Sequence, residues 1–383
     1  MPWKNNTARR AHTTVAPFLA GLLLTTMLFL TGCGSSDFRP NAIGAEGEIY
    51  VVIDSVQWQG TVGEALRNQL GEYIRTLPAV EPIFDLKPVH LTSTRMFEQI
   101  KEFKNLVFAA PLSDTTNEAK FLNSLLSDEA KQAIFNGGNA VVPRSNVWRR
   151  RQQVFYLTAA TPEALTEAIE QEGENILFRF NEVTRQRVHR QMFEKGRQPD
   201  IEATLMEKHG FAVNAQHDYQ IAIDTTNFVW LRRILPDTRR SLFVYYEEQA
   251  NPADLTPEWV YATRDSLTRR YVQGSLWGTV TIDRRRPLES SEINFKNRYA
   301  LESRGLWVLA ERTEDGRLYV DGGGPFLTYA FYDQPSGRLY MIDGMVFAPG
   351  FSKREFLRQM EVIAYTFRTR EEVEQEQQLA LRD

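Results

Sequence analysis

The pattern that most limits the fold is an alternation of two apolar periods in the first half of the chain. Ile49-Tyr50-Val51-Val52-Ile53 is a continuous apolar run closed by Gly47 and by Asp54-Ser55, as a strand reads. Thr61 and Glu64 then have the T-x-x-E spacing of a capping box, and Val62, Leu66, Leu70, Tyr73 and Leu77 share one helical face until Pro78. A strand near Phe84 to His90, a helix carrying Met96, Ile100 and Phe103, and a strand from Leu106 to Ala110 continue the series. Strand, helix, strand, helix, strand predicts a sheet that is at least partly parallel and covered by helices. Helices are expected at 117–126 and 128–135, a strand at 153–157, and a helix start at Thr161-Pro162. A long helix is expected from Glu174 to Glu194, with Ile176, Phe180, Val183, Val188 and Met192 inward and Arg179, Arg185, Arg187 and Arg190 mostly outward.

The polar stretch Lys195 to Asp200 is the expected hinge, and a short helix from Ile201 to His209 ends at Gly210. Beyond it the period changes to two, with strands expected at 219–223, 228–234, 241–246, 278–282, 306–310, 318–320, 326–332 and 339–347. Two helices interrupt them. One starts at Thr256-Pro257; the other starts with the capping box Ser352-Lys353-Arg354-Glu355. The expected fold class is therefore α+β: an N-terminal mixed sheet with covering helices over 48–195, then a mainly antiparallel sheet over 196–368 with helices packed on one face. Residues 369–383 are Glu- and Gln-rich and read as a frayed helix or a disordered tail.

The N-terminus has a different character. Lys4, Arg9 and Arg10 precede an apolar stretch from Val15 to Leu30, which leads to Leu30-Thr31-Gly32-Cys33. A membrane span needs roughly 20 apolar residues, and this run is shorter and broken by Pro17. Residues 1–32 therefore read as a cleavable secretory signal peptide. The Leu-Thr-Gly-Cys junction resembles the bacterial lipobox, which implies cleavage before Cys33 and acylation of that residue, the only cysteine in the chain. Several acyl chains on Cys33 would hold the protein to a membrane. Residues 33–47 read as a tether, rich in Gly, Ser and Pro. Processing removes three cations and no acid, so the formal net charge moves from -4 to -7. That balance gives no global basic excess for nucleic acid.

Several separated motifs carry a further likeness. They are the run from Tyr50 to Gly60, Leu77-Pro78-Ala79-Val80-Glu81-Pro82, Phe228-Val229-Trp230-Leu231-Arg232-Arg233, Gly324-Pro325-Phe326, and Ala348-Pro349-Gly350 before the last predicted helix. Together they resemble an uncharacterised family of lipoproteins from the Bacteroidetes-Rhodothermus lineage, a domain of unknown function numbered 4837. The resemblance implies an envelope location and a lipoprotein habit, and no activity. Gly34 after the lipidated cysteine, by likeness to the enterobacterial sorting rule, points to the outer membrane, facing the periplasm or the cell surface, over the inner membrane.

Catalytic signatures are missing from the sequence. G-x-S-x-G, the phosphate-binding loop and G-x-G-x-x-G do not occur, and His90, His189, His209 and His217 lack metal-ligand spacing. Glu247 and Glu248 are adjacent on a predicted strand, so their side chains point to opposite faces. No catalytic residue, metal or cofactor is assigned. Two features carry a binding expectation. One is Asp321-Gly322-Gly323-Gly324, where the backbone can approach a ligand closely or make a tight connection between strands. The other is the aromatic and arginine enrichment around Trp230 and Arg232, suited to a protein or glycan partner or to an ordinary core with charged edges. Three functions stay open: a non-enzymatic envelope binding module for a protein or glycan, a structural envelope lipoprotein, or a glycan-acting hydrolase with dispersed carboxylates.

Overall fold

The computed structural model describes residues 37–272, 278–312, 315 and 317–380. The leader, Cys33 and the segment 273–277 lie outside them. No helix among the described residues is long and apolar enough to cross a membrane. Asn41–Asp383 form one compact unit built on two main sheets.

The first sheet has the strand order β2-β1-β3-β5-β4. Strands β1 (Glu48–Val52), β2 (Asp85–Val89), β3 (Asn105–Ala109) and β5 (Gln153–Ala159) run parallel, while β4 (Asn139–Ser145) is an antiparallel edge. Every residue of β3 is buried, as a central strand covered on both faces must be. After α1 (Ser55–Gln59), helices α2 (Thr61–Leu70) and α6 (Pro162–Phe193) pack Leu66, Leu70, Ile169 and Phe180 against Ile49, Val51 and Phe155. The opposite face is covered by α3 (Thr94–Ile100), α4 (Asn117–Ser124) and α5 (Asp128–Phe135), with Leu122 and Ile134 over Val52 and Phe108.

Four local expectations change. The helix start at Pro162 and the segment from Glu174 belong to one 32-residue helix that continues through Gly173. A β-carbon at Gly173 would stand 2.2 Å from the Gln69 amide oxygen, so glycine is what lets α2 and α6 come together. Arg187, expected outward, is 5% exposed and donates to Glu46 Oε2 at 2.8 Å and Asn105 Oδ1 at 2.6 Å. The tether gives up its last residues to the fold: Ile43 N donates to Glu102 O at 2.8 Å, and Ile43 O accepts from Lys104 N at 2.9 Å. Thr61 does not cap α2 with its side chain; its hydroxyl lies 3.0 Å from that of Thr166.

The second sheet is antiparallel, in the order β10-β12-β13-β14-β9-β8-β7, with β11 also paired to β12. Its strands are β7 (Gln220–Asp224), β8 (Phe228–Ile234), β9 (Arg239–Glu247), β10 (Thr279–Ile282), β11 (Glu289–Phe295), β12 (Arg298–Arg312), β13 (Leu318–Asp333) and β14 (Arg338–Phe347). The α+β class holds. Helix α7 (Pro199–His209) ends at Gly210, whose φ of 72° is the expected left-handed cap. It leads into β6 (Phe211–Ala212), which pairs with β15 (Arg368–Thr369).

Helix cover on this sheet is two-sided. One face packs Leu231, Val244, Phe331 and Ile342 under α9 (Arg354–Tyr365) and the ends of α6 and α7. The other packs Phe228, Phe243 and Met341 under α8 (Pro257–Tyr271). A fully buried ion pair fixes α8: Arg264 Nε donates to Asp343 Oδ2 at 2.8 Å, and the guanidinium lies 3.8 Å over the Phe326 ring. The tail after β15 folds as α10 (Arg370–Ala380).

Candidate functional site

Alternation along β8 puts Val229 and Leu231 on the α9 face and Trp230 and Arg232 on the α8 face. Arg232 stands opposite Ser241 of β9, and Ser241 stands opposite Met345 of β14. One residue pair further, Ile234 meets Arg239, and Arg239 meets Phe347. This row borders a cavity of about 550 Å³ whose far wall is Val280, Trp307, Leu309 and Gly322 of β10, β12 and β13. The size falls within the common range for small-ligand pockets.

The glycine run sits inside β13 and not between two strands. Trp307 pairs with Gly324 and Leu309 with Gly322; the register slips just beyond, which leaves Asp321 as the extra residue of a bulge. A β-carbon on Gly324 would lie 1.9 Å from Val346 O and 3.4 Å from Trp307 Nε1, and one on Gly322 would lie 3.2 Å from the Phe347 ring. The missing side chains thus let the Trp307 and Phe347 rings, 6.3 Å apart, settle onto the sheet beside open space. Gly323 serves β12, since its β-carbon would stand 2.6 Å from Trp307 O.

The polar groups around this cavity are strongly biased toward donors. Trp230 Nε1 and Trp307 Nε1 are buried without a hydrogen-bond partner. An unmatched buried N–H costs about 1–3 kcal/mol, so each of these indoles carries an unmet donor next to the cavity that its ring lines. Arg232, Arg233, Arg239 and Arg240 line the space, and among the described residues no lining residue is Asp or Glu. Arg233 is engaged by Asp218 at 2.6 Å and Arg240 by Gln359. Arg232 and Arg239 have no carboxylate within ion-pair reach among the described residues, and lie 5.8 Å from the Trp230 ring and 5.9 Å from the Phe347 ring. The cavity therefore joins aromatic faces, apolar side chains and uncompensated positive charge.

The structure brings together Trp230, Arg232, Gly322 and, through Trp307, Gly324. Sequence reasoning did not single out Trp307, Met345 or Phe347. Trp307 lies on β12 and the other two on β14, and only the register of the strands between and beside them shows that they share a wall with Trp230. The histidines go elsewhere. His90 Nδ1 is 2.8 Å from buried Glu118, His209 lies between Asp224 and Tyr246, and His189 packs on Phe193. No three His, Cys, Asp or Glu side chains converge as a metal set among the described residues.

Residues 198–366 match a family described as Domain of unknown function (DUF4837), and residues 42–193 match Domain of unknown function (DUF8532). The cavity lies wholly within the first match. No curated protein matches the chain. Among solved structures, the Ran-binding protein Mog1p of Saccharomyces cerevisiae is similar at 10% identity over 42% of this chain and 90% of that chain, with a TM-score of 0.27. Human StAR-related lipid transfer protein 5 is similar at 10% identity over 50% of this chain and 99% of that chain, with a TM-score of 0.14.

Proposed function

We propose, for a chain whose residues 198–366 belong to the domain-of-unknown-function family DUF4837, that it is a lipid-anchored envelope protein whose second sheet binds an acidic glycan. The observation that carries the reading is a cavity lined by the indoles of Trp230 and Trp307 and by arginines, with no acid among its described lining residues. A sugar ring stacks on an aromatic face, which the indoles of Trp230 and Trp307 supply here. A carboxylate or phosphate on that sugar meets the Arg232 and Arg239 guanidiniums, whose forked donors suit such oxyanions. The anchor half of the proposal rests on Leu30-Thr31-Gly32-Cys33 after a charged and apolar leader. A two-acid glycosidase needs two carboxyl groups flanking the bond, and the described lining of this cavity supplies none.

Tryptophan fluorescence of the processed protein, titrated with a uronate oligosaccharide and with a neutral one of equal length, tests the binding. The acidic sugar is expected to quench and to bind at least tenfold more tightly, with Arg232→Met and Arg239→Met each removing that preference. Equal binding of the two sugars, or none, sinks the reading. Labelling with a radioactive fatty acid tests the anchor: the wild-type chain should incorporate label and Cys33→Ser should not.

A further inference from the structure

A second cavity, of about 540 Å³, opens on the α9 side of the second sheet, between α6, α9, β12 and the segment around Tyr73 to Ile83. Both family-matched regions therefore contribute to it. Its floor is the β12–β13 pair, where Glu302 stands directly opposite Tyr329. Its walls bring Arg185 from α6 and Glu361 from α9.

The charges here are of a different kind from those beside Trp230. Arg185 and Arg304 are matched by Glu361 and Glu302, so the lining is close to neutral yet densely charged. The matching is one-sided. Arg304 reaches Glu302 Oε1 through Nε at 2.6 Å, and its two terminal nitrogens have no protein partner among the described residues. Arg185 donates to Glu182 on its own helix and to Oε1 of Glu361, at 2.9 Å, while its guanidinium lies 3.7 Å over the Tyr365 ring. The second oxygen of Glu361 is left without a protein donor among the described residues. Beside these groups the Tyr329 side chain is fully buried, with its hydroxyl close enough to Glu302 to help hold that carboxyl low. Burial by itself would raise the Glu302 carboxyl, but Arg304 beside it outweighs this and holds it below the usual range, so it is ionised.

A ligand with a single charge meets repulsion from one half of such a lining. A ligand with an ammonium and a carboxylate a few atoms apart meets attraction from both. We propose that this cavity is a binding site for a short peptide with free ends, its ammonium between Glu302 and Glu361 and its carboxylate on the terminal nitrogens of Arg304. The proposal uses none of the residues offered above for the acidic glycan, and the two sites stand or fall separately.

Isothermal titration of the processed protein with L-alanyl-L-alanine, its N-acetyl form and its C-terminal amide provides the test. The free dipeptide should bind at least tenfold more tightly than either blocked form. Arg304→Gln should erase the preference over the amide, and Glu361→Gln the preference over the acetylated form. Binding should be unchanged by Arg232→Met and by saturating uronate oligosaccharide. The comparison of the three dipeptides uses the unmutated protein, so it holds even if a substitution disturbs folding. Absence of binding, or equal binding of free and blocked forms, overturns the proposal.

Discussion

Glu81 caps a helix that begins at Arg354, 273 residues later in the chain. Its two carboxylate oxygens accept the Lys353 N–H at 2.7 Å and the Arg354 N–H at 2.9 Å. Free N–H groups at a helix start take a carboxylate readily, because the local dipole favours negative charge there. The bond also ties the segment beside the first sheet to the helix that covers the second.

Glu81→Ala should therefore cost about 1–2 kcal/mol, in line with the loss of a helix cap. Ser352→Ala should change stability by less than about 0.5 kcal/mol, as expected for an exposed side chain, since Ser352 makes no cap bond. Urea denaturation of the two variants distinguishes a distant cap from a local one. A larger loss for Ser352→Ala would restore the local capping box.

That helix shows what a single sequence can and cannot convey. The helix itself was legible, because Phe356, Met360, Ile363 and Phe367 recur at helical spacing. Its cap was not: Ser352 and Glu355 fit the short-range pattern, and nothing in the chain marks Glu81 as the competitor. Arg187 repeats the lesson. An arginine among outward-facing arginines on a helix reads as solvent-exposed, and only the fold reveals that Glu46 and Asn105 wait for it. The binding cavity was half legible, since Trp230, Arg232 and the glycines stood out by composition. Trp307 and Phe347 did not, because cross-strand neighbours are set by register and not by sequence distance.

Gly324→Ala should destabilise by several kcal/mol, because the new methyl group meets backbone, Val346 O, at 1.9 Å. Gly350, with a φ of 78° and open space around it, should lose only about 1 kcal/mol on the same change, from backbone strain alone. Thermal melts rank the two. Gly324→Ala should also alter tryptophan emission, since its β-carbon lies beside Trp307 Nε1. If Gly350→Ala proved the more harmful, close strand packing would not be the reason for the glycine run.

The Arg264–Asp343 pair has both side chains fully out of water. Asp343→Asn leaves the guanidinium without a counter-charge and should cost about 3–5 kcal/mol, as broken buried pairs do. Asp343 also accepts from Thr328 Oγ1 at 2.5 Å, so part of the loss comes from that bond. Replacing both partners, Arg264→Met with Asp343→Leu, should recover most of the stability in guanidinium denaturation, because apolar substitutes need no counter-charge. A double variant as weak as Asp343→Asn would show that the pair, and not the avoidance of a lone charge, holds α8.

Burial governs the tyrosines and gives a prediction at high pH. Tyr156, Tyr245 and Tyr365 are each pushed up to about 12 by desolvation of the phenolate. Their neutral forms are therefore favoured by folding, relative to the ordinary value near 10. A raised value contributes stability that is complete below about pH 10, where both states are protonated, and is lost as pH climbs through 12. Absorbance at about 295 nm follows the phenolates. In native buffer a group of tyrosines should resist ionisation until near pH 12, whereas in strong urea all should titrate together near 10. Unfolding followed by circular dichroism should begin in the same interval as the late tyrosines, since charging them and opening the core are one event. Full titration near pH 10 with the circular dichroism unchanged would mean that these rings are reached by water in the folded protein.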